Sequence, residues 1–200
     1  LPACCNRRRP TRTVHATQAK DLGRTTSFTA AEVAGGMLNL GRGGFNPSEI
    51  EDSITGILNL ARATGTDLAL SADIAAGTLR AFALEAGQMG RVTDVLVATA
   101  NNSAQTLEDL GESMKYVAPI AEEYGLSLEQ TAKALGVLAN MQIKGSMAGT
   151  SLRQIMLRLA DPAVQEQLRA NGVEALDAAK NLRPVGDILI DLGQAMQGMT

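Results

Sequence analysis

The 200-residue chain carries a net charge of −3, is 45% hydrophobic but only 2% aromatic, and has no Trp. No global positive field draws it to nucleic acid, no aromatic surface offers bases a stacking platform, and a core limited to Leu, Ile, Val, Met and Ala favours packed helices over a sheet. Its apolar runs, such as Val95-Leu96-Val97-Ala98, fall far short of the roughly 20 residues that cross a bilayer as a helix.

Residues 1–18 differ in kind from the rest. They hold Cys4, Cys5, His15, Arg7, Arg8, Arg9, Arg12 and two prolines, and read as a poorly ordered basic leader. Adjacent Cys4 and Cys5 seldom bridge each other and make a poor metal site. A chain opening at Leu1 reads as a fragment of a longer one.

Residues 19–200 read as one helical domain. Thr29-Ala30-Ala31-Glu32 has the form of a capping box, in which hydroxyl and carboxylate satisfy free backbone N–H groups. That helix ends in Gly41-Arg42-Gly43-Gly44, a C-cap rather than a phosphate loop, because no Lys-Ser or Lys-Thr follows. Asn46-Pro47-Ser48-Glu49 opens the next, with Asn46 as cap and Pro47 at the first helical position. Ile50, Ile54, Ile57, Leu58 and Ala61 form its apolar face, and Gly65 stops it. A third helix is expected over Leu68 to Phe82 and a fourth over Gln88 to Ala100, broken by Asn101-Asn102-Ser103.

Thr106-Leu107-Glu108-Asp109 opens a fifth helix, closed by Gly125. Ser127-Leu128-Glu129-Gln130 caps a sixth, reaching Met141, and a seventh covers Ser146 to Leu159. Asp161-Pro162 caps an eighth, ending at Asn171-Gly172; a weaker segment, Val173 to Lys180, leads to a last helix over Pro184 to Met196. The fold class is therefore all-α: a compact array of eight or nine helices as consecutive αα-hairpins. Phe45, Leu84 and Leu126 each follow a break at intervals near 40 residues, which keeps a solenoid-like arrangement open.

Where the seventh helix begins, Gly145, Ala148 and Gly149 place three small residues where two helix backbones can approach closely. Glycine within a helix costs about 1 kcal/mol against alanine, and close packing is the expected compensation. Catalytic chemistry is sought in vain. His15 is the only histidine and is expected to be an exposed tail residue, and HExxH, CxxC and GxSxG are absent. Glu108-Asp109 and Glu122-Glu123 fall on solvated faces. No catalytic, cofactor-binding or metal-binding residue is assigned, and no cofactor is expected. Most of the eight methionines are expected in the core, with a few facing partners.

From about Ala19 to Leu192 the chain resembles the globular region of phage tail tape-measure proteins. The resemblance is carried, in order, by residues 23–34, beginning Gly23-Arg24-Thr25-Thr26, then Leu58-Asn59-Leu60-Ala61, Ala72-Asp73-Ile74 with Phe82-Ala83-Leu84, and Val92-Thr93-Asp94-Val95-Leu96 with Ala100-Asn101-Asn102-Ser103. It continues through Leu110-Gly111-Glu112-Ser113-Met114 to Pro119, the stretch Asn140 to Arg153, Arg158-Leu159 and Leu182-Arg183-Pro184. The resemblance implies a non-enzymatic assembly module of the tail. It would help to set tail length and build the tube, with a role at DNA ejection. Implied partners are the tail tube protein, tail assembly chaperones, further copies of the chain and the host envelope, without specific nucleic-acid binding. The implied location is the virion, inside the tail tube, after assembly in the host cytoplasm. Two other readings stay open: a membrane-active helical module used at infection, and a non-viral helical scaffold that binds protein.

Overall fold

The computed structural model describes residues 9–197, with side chains from His15 onward. Cys4, Cys5, Arg7, Arg8 and Met199 lie outside the described residues, as do the side chains of Arg9 and Arg12. Among the described residues the fold is all-α. The helices are α1 (Arg9–Thr25), α2 (Ala30–Arg42), α3 (Pro47–Thr64), α4 (Leu68–Ala81), α5 (Met89–Asn102), α6 (Leu107–Glu123), α7 (Leu128–Asn140), α8 (Gly145–Ala160), α9 (Pro162–Ala170) and α10 (Val185–Gln197). A single 3₁₀ turn, Ala86–Gln88, precedes α5.

The chain divides into two compact units. The first comprises the described residues up to Arg80 together with Leu84–Val97, and is built on α1 to α4 and the start of α5. Its core holds Val33, Leu40, Ile54, Ile57 and Leu60, each essentially without solvent exposure. The second comprises Ala81–Ala83 and the residues from Ala98 onward. Its core holds Leu107, Leu110, Val117, Leu135, Leu152, Met156 and Ile188.

The boundary expected at residue 18 falls inside a helix. Pro10 is tolerated in the first turn of α1, and Ala19 is buried. Gly23 lets α1 come close to α2: a Cβ there would sit 2.6 Å from the Ala30 nitrogen. Gln18 Nε2 donates to the Glu51 carbonyl at 3.2 Å, and His15 Nε2 lies 3.5 Å from Glu51 Oε1. His15 is thus half-buried against a carboxylate 36 residues along the chain, not a tail residue. A composition rich in Arg and Pro hid a helix whose apolar stripe is short.

The segment Val173 to Lys180 is not helical. It is a loop held by an isolated antiparallel bridge between Leu176 and Leu182.

The breaks between helices share one device. At six helix ends the residue after the last turn has positive φ: Gly44, Gly65, Ala83, Gly125, Gln142 and Gly172. The next residue then returns its N–H to the carbonyl five positions back. These bonds run from Phe45 to Leu40 (3.1 Å), Thr66 to Ala61 (3.2 Å), Leu84 to Leu79 (2.9 Å), Leu126 to Ala121 (2.8 Å), Ile143 to Leu138 (2.9 Å) and Val173 to Leu168 (2.9 Å). This is the Schellman closure, which satisfies carbonyls that the ending helix leaves free. The interval near 40 residues joins three of these six corners. The other three fall between and beyond them, so the spacing reflects shared helix-stop chemistry rather than a repeated unit.

Candidate functional site: the close crossing of α6 and α8

Six helices of the described chain start at self-contained caps; α4 does so at Asp67, whose Oδ1 accepts the Ala69 and Leu70 N–H groups at 2.9 and 3.1 Å. Thr29 Oγ1 accepts the Glu32 N–H at 3.3 Å while Glu32 Oε2 accepts the Thr29 N–H at 2.7 Å. Asn46 and Glu49 exchange the same pair at 3.0 and 2.7 Å, and Pro47 takes the first helical position. Thr106 pairs with Asp109 at 3.1 and 3.4 Å. Ser127 pairs with Gln130 at 3.2 and 2.9 Å. Asp161 Oδ1 accepts the Ala163 N–H at 2.9 Å, with Pro162 next to it. Each residue of these caps lies within three positions of its partner, so local sequence suffices to build them.

α8 starts differently. Its N-cap is Lys144, which makes no side-chain capping bond. Instead the Ser113 hydroxyl, from the middle of α6, reaches the Gly145 carbonyl at 2.7 Å and shares its proton with the Asp109 carbonyl at 2.9 Å. The first turn of α8 is therefore fixed to another helix rather than to itself.

One turn further on, the two backbones meet. A Cβ on Gly149 would stand 2.3 Å from the Ser113 carbonyl oxygen and 2.9 Å from the Ser113 Cα. No side chain fits there, and only a shift of one helix backbone would admit one. Ala148, beside it, is fully buried, with Leu152 and Met156 continuing the stripe. The α6–α8 pairing is the most extensive helix contact among the described elements.

The three small residues thus divide their labour. Gly149 makes the close approach, and Ala148 fills the seam with the smallest side chain that has a Cβ. Gly145 does not sit in the seam: a Cβ there would meet only Asp109 Oδ1, at an ordinary 3.7 Å. What Gly145 supplies is backbone freedom, because its φ is +57°, in the left-handed region that L side chains avoid. The expectation of close packing at Gly145 is corrected accordingly.

Ser113 was not singled out in the sequence. It sits in the apolar face of α6 between Leu110, Met114 and Val117, where a small polar residue is out of character. That interruption was the available signal; its partners in α8, Gly145 and Gly149, lie 32 and 36 positions away.

The electrostatics are quiet. Among the described residues, Glu32 has a pKa moved clearly from its ordinary value. It is lowered, first by the backbone N–H of Thr29 and then by its hydroxyl, both of which favour the carboxylate. Among the described residues no cluster of His, Cys, Asp and Glu could hold a metal ion. No described helix is long and apolar enough to cross a membrane. The arrangement clamps two helices together.

The methionines split. Met37, Met89, Met114 and Met156 are buried, while Met141, Met147 and Met196 are well exposed.

Comparison with known families gives the architecture its context. The model of the family described as phage-related minor tail protein matches residues 16–200. The chain belongs to this family. It is 45% identical over 186 residues to the tape measure protein of Pneumococcus phage Dp-1, covering 92% of this chain and 16% of that protein. It is 32% identical over 177 residues to the probable tape measure protein of Escherichia phage P2, covering 88% of this chain and 22% of that protein. The chain thus spans about a sixth to a fifth of the length of these relatives. No solved structure matches it. The match begins at residue 16, inside α1, and runs through the α6–α8 crossing to the end of the chain.

Proposed function

We propose that this chain is an assembly module of a tail tape-measure protein, a structural and non-catalytic part of the virion tail rather than the whole measuring rod. One observation carries this reading. A 200-residue ruler drawn as one helix would reach roughly 300 Å, whereas the longest described helix here, α3, has 18 residues and spans about 27 Å. A segment broken into short helices by six such corners, with two of them clamped at a buried crossing, is unlike one continuous measuring rod. It is suited to present fixed surfaces to other tail components: the tail tube protein and the tail assembly chaperones. Assembly in the host cytoplasm, before packing within the tube, is the setting this role requires.

The test is an in-frame deletion in a phage whose tape-measure gene carries this region, read by electron microscopy of tails. Removing the module is expected to abolish tails. Removing an equal length of the neighbouring helical chain is expected to leave tails that are shorter. If both deletions shorten tails equally, the module is part of the ruler. If both leave normal infectious tails, the assignment is wrong.

A further inference from the structure

Asn171 is the one asparagine of the chain that is followed by glycine. That pairing carries chemistry of its own. The peptide nitrogen of the next residue can attack the asparagine side-chain carbonyl, and glycine hinders the attack least because it has no Cβ. Asn171 and Gly172 sit at the corner where α9 ends, and both are exposed, so water and base reach them.

The fold holds the two reacting groups apart. Ring closure needs the Gly172 nitrogen to eclipse the Asn171 Cβ about the Cα–C bond. Asn171 has φ −101° and ψ 13°. Because a tetrahedral Cα offsets Cβ from N by about 120°, the nitrogen stands about 130° away from that position. Both groups are also engaged. The Gly172 N–H is given to the Arg169 carbonyl at 2.9 Å, and Asn171 Nδ2 donates to the Gln167 carbonyl at 2.7 Å. The next residue anchors the corner: the Val173 N–H reaches the Leu168 carbonyl at 2.9 Å, and the Val173 side chain is buried.

We infer that Asn171 is a deamidation site that this corner keeps closed, and that it reacts through opening of the last turn of α9. In the open corner a base removes the Gly172 amide proton and the nitrogen attacks Asn171 Cγ. The new C–N bond closes a five-membered imide as the Cγ–Nδ2 bond breaks and ammonia leaves. Water then adds to one of the two imide carbonyls and the ring opens. One carbonyl gives aspartate; the other gives isoaspartate, with the backbone rerouted through the side chain. Nothing is oxidised or reduced.

Either product undoes the corner that delayed it. A carboxylate has no hydrogen to give the Gln167 carbonyl, and its charge lies at the negative end of the α9 dipole. Isoaspartate adds a backbone atom to the span that the Val173–Leu168 bond has to close. Once made, the product therefore favours the open corner. This inference does not rest on the tail assignment; each can fail alone.

The test follows the whole 200-residue chain at mildly alkaline pH, reading the replacement of NH2 by OH at each asparagine by peptide mapping and mass spectrometry. A synthetic peptide of residues 166–176 is the unprotected reference. Deamidation at Asn171 is expected to be at least about tenfold slower in the folded chain than in the peptide, because opening must break two hydrogen bonds and expose Val173. Val173→Ala weakens the anchor and should raise Asn171 deamidation and Gly172 amide exchange by the same factor. If that variant does not fold, urea below the unfolding transition of the parent chain takes its place. Asn171→Asp, which installs one product, should speed exchange of the Gly172 and Val173 amides more than Asn171→Gln, which keeps the amide and adds no charge. Three results would overturn the inference: a folded chain that reacts as fast as the peptide, amide exchange that rises without deamidation, or a corner that exchanges equally slowly in Asn171→Asp and the parent.

Discussion

Gly149 and Gly193 both interrupt helices beside large apolar residues, and the structure puts them to opposite uses. Around Gly149 the space is already taken, with the Ser113 carbonyl 2.3 Å from where a Cβ would be. Around Gly193 there is nothing within 4 Å. One glycine belongs to a crossing completed within the chain, the other to a face the chain leaves uncovered. A small residue in a helix therefore marks a place where another backbone can come close, without saying whose. Substituting each position separates the two cases.

The largest effect is expected at the completed crossing. Gly149→Ala adds one methyl group, but the obstacle is backbone, so α6 and α8 must part along their contact. Overpacking of this kind typically costs about 1–3 kcal/mol, and the lost contact between the two helices places this site at the upper end. For a chain of this length that corresponds to a fall in melting temperature of roughly 5–10 °C. Gly149→Leu should be worse. An alanine variant that melts with the parent protein would show that the crossing is not the clamp described here.

Gly145→Ala is expected to be milder and to act through a different cause. A methyl group has room beside Asp109, so the loss is that of placing an L side chain in the left-handed region, about 1–2 kcal/mol. Asn adopts that region more readily, so Gly145→Asn should recover part of the loss in thermal melts. Equal losses for Ala and Asn would mean that space, not backbone conformation, sets the requirement.

These two positions show where sequence reading succeeds and where it stops. The caps at Thr29, Asn46, Thr106, Ser127 and Asp161 are written within four residues of chain, and helix boundaries follow from them closely. The small-residue cluster at 145–149 is equally visible. The partner Ser113 is not, because only the folded chain brings α6 to α8. Nor does composition separate a glycine needed for φ from one needed for space. The corners at Ala83 and Gln142 stayed hidden for a related reason: neither residue type announces a left-handed turn, and without them the remaining corners imitate a period. That Leu189, Ile190 and Met196 of α10 stand exposed was not legible either, because exposure belongs to the fold, not to the sequence.

The open face should respond in the reverse direction. Gly193→Ala adds a methyl group where this chain has nothing to strike, and replaces the poorest non-proline helix former with the best, a gain of up to about 1 kcal/mol. The variant should melt at or slightly above the parent temperature. Destabilisation would mean that Gly193 faces this chain after all, and the contrast with Gly149 would collapse.

The smallest effect separates helices that cap themselves from α8, which is held by its neighbour. Glu32 is exposed, and its carboxyl is held below its ordinary pKa by the Thr29 backbone N–H and hydroxyl. Because the folded value lies below the unfolded one, the contribution is complete at pH values above the ordinary glutamate range and is lost as pH falls through the folded value. Glu32→Gln keeps an acceptor in the cap and removes the titration. The variant should melt slightly below the parent at neutral pH, and the gap should close as the solution is taken to acid pH below the folded value. A gap of constant size across that range would assign the contribution of Glu32 to shape rather than charge. The Gly149→Ala deficit arises from contact with the Ser113 backbone, so it should persist with pH where the Glu32 gap closes.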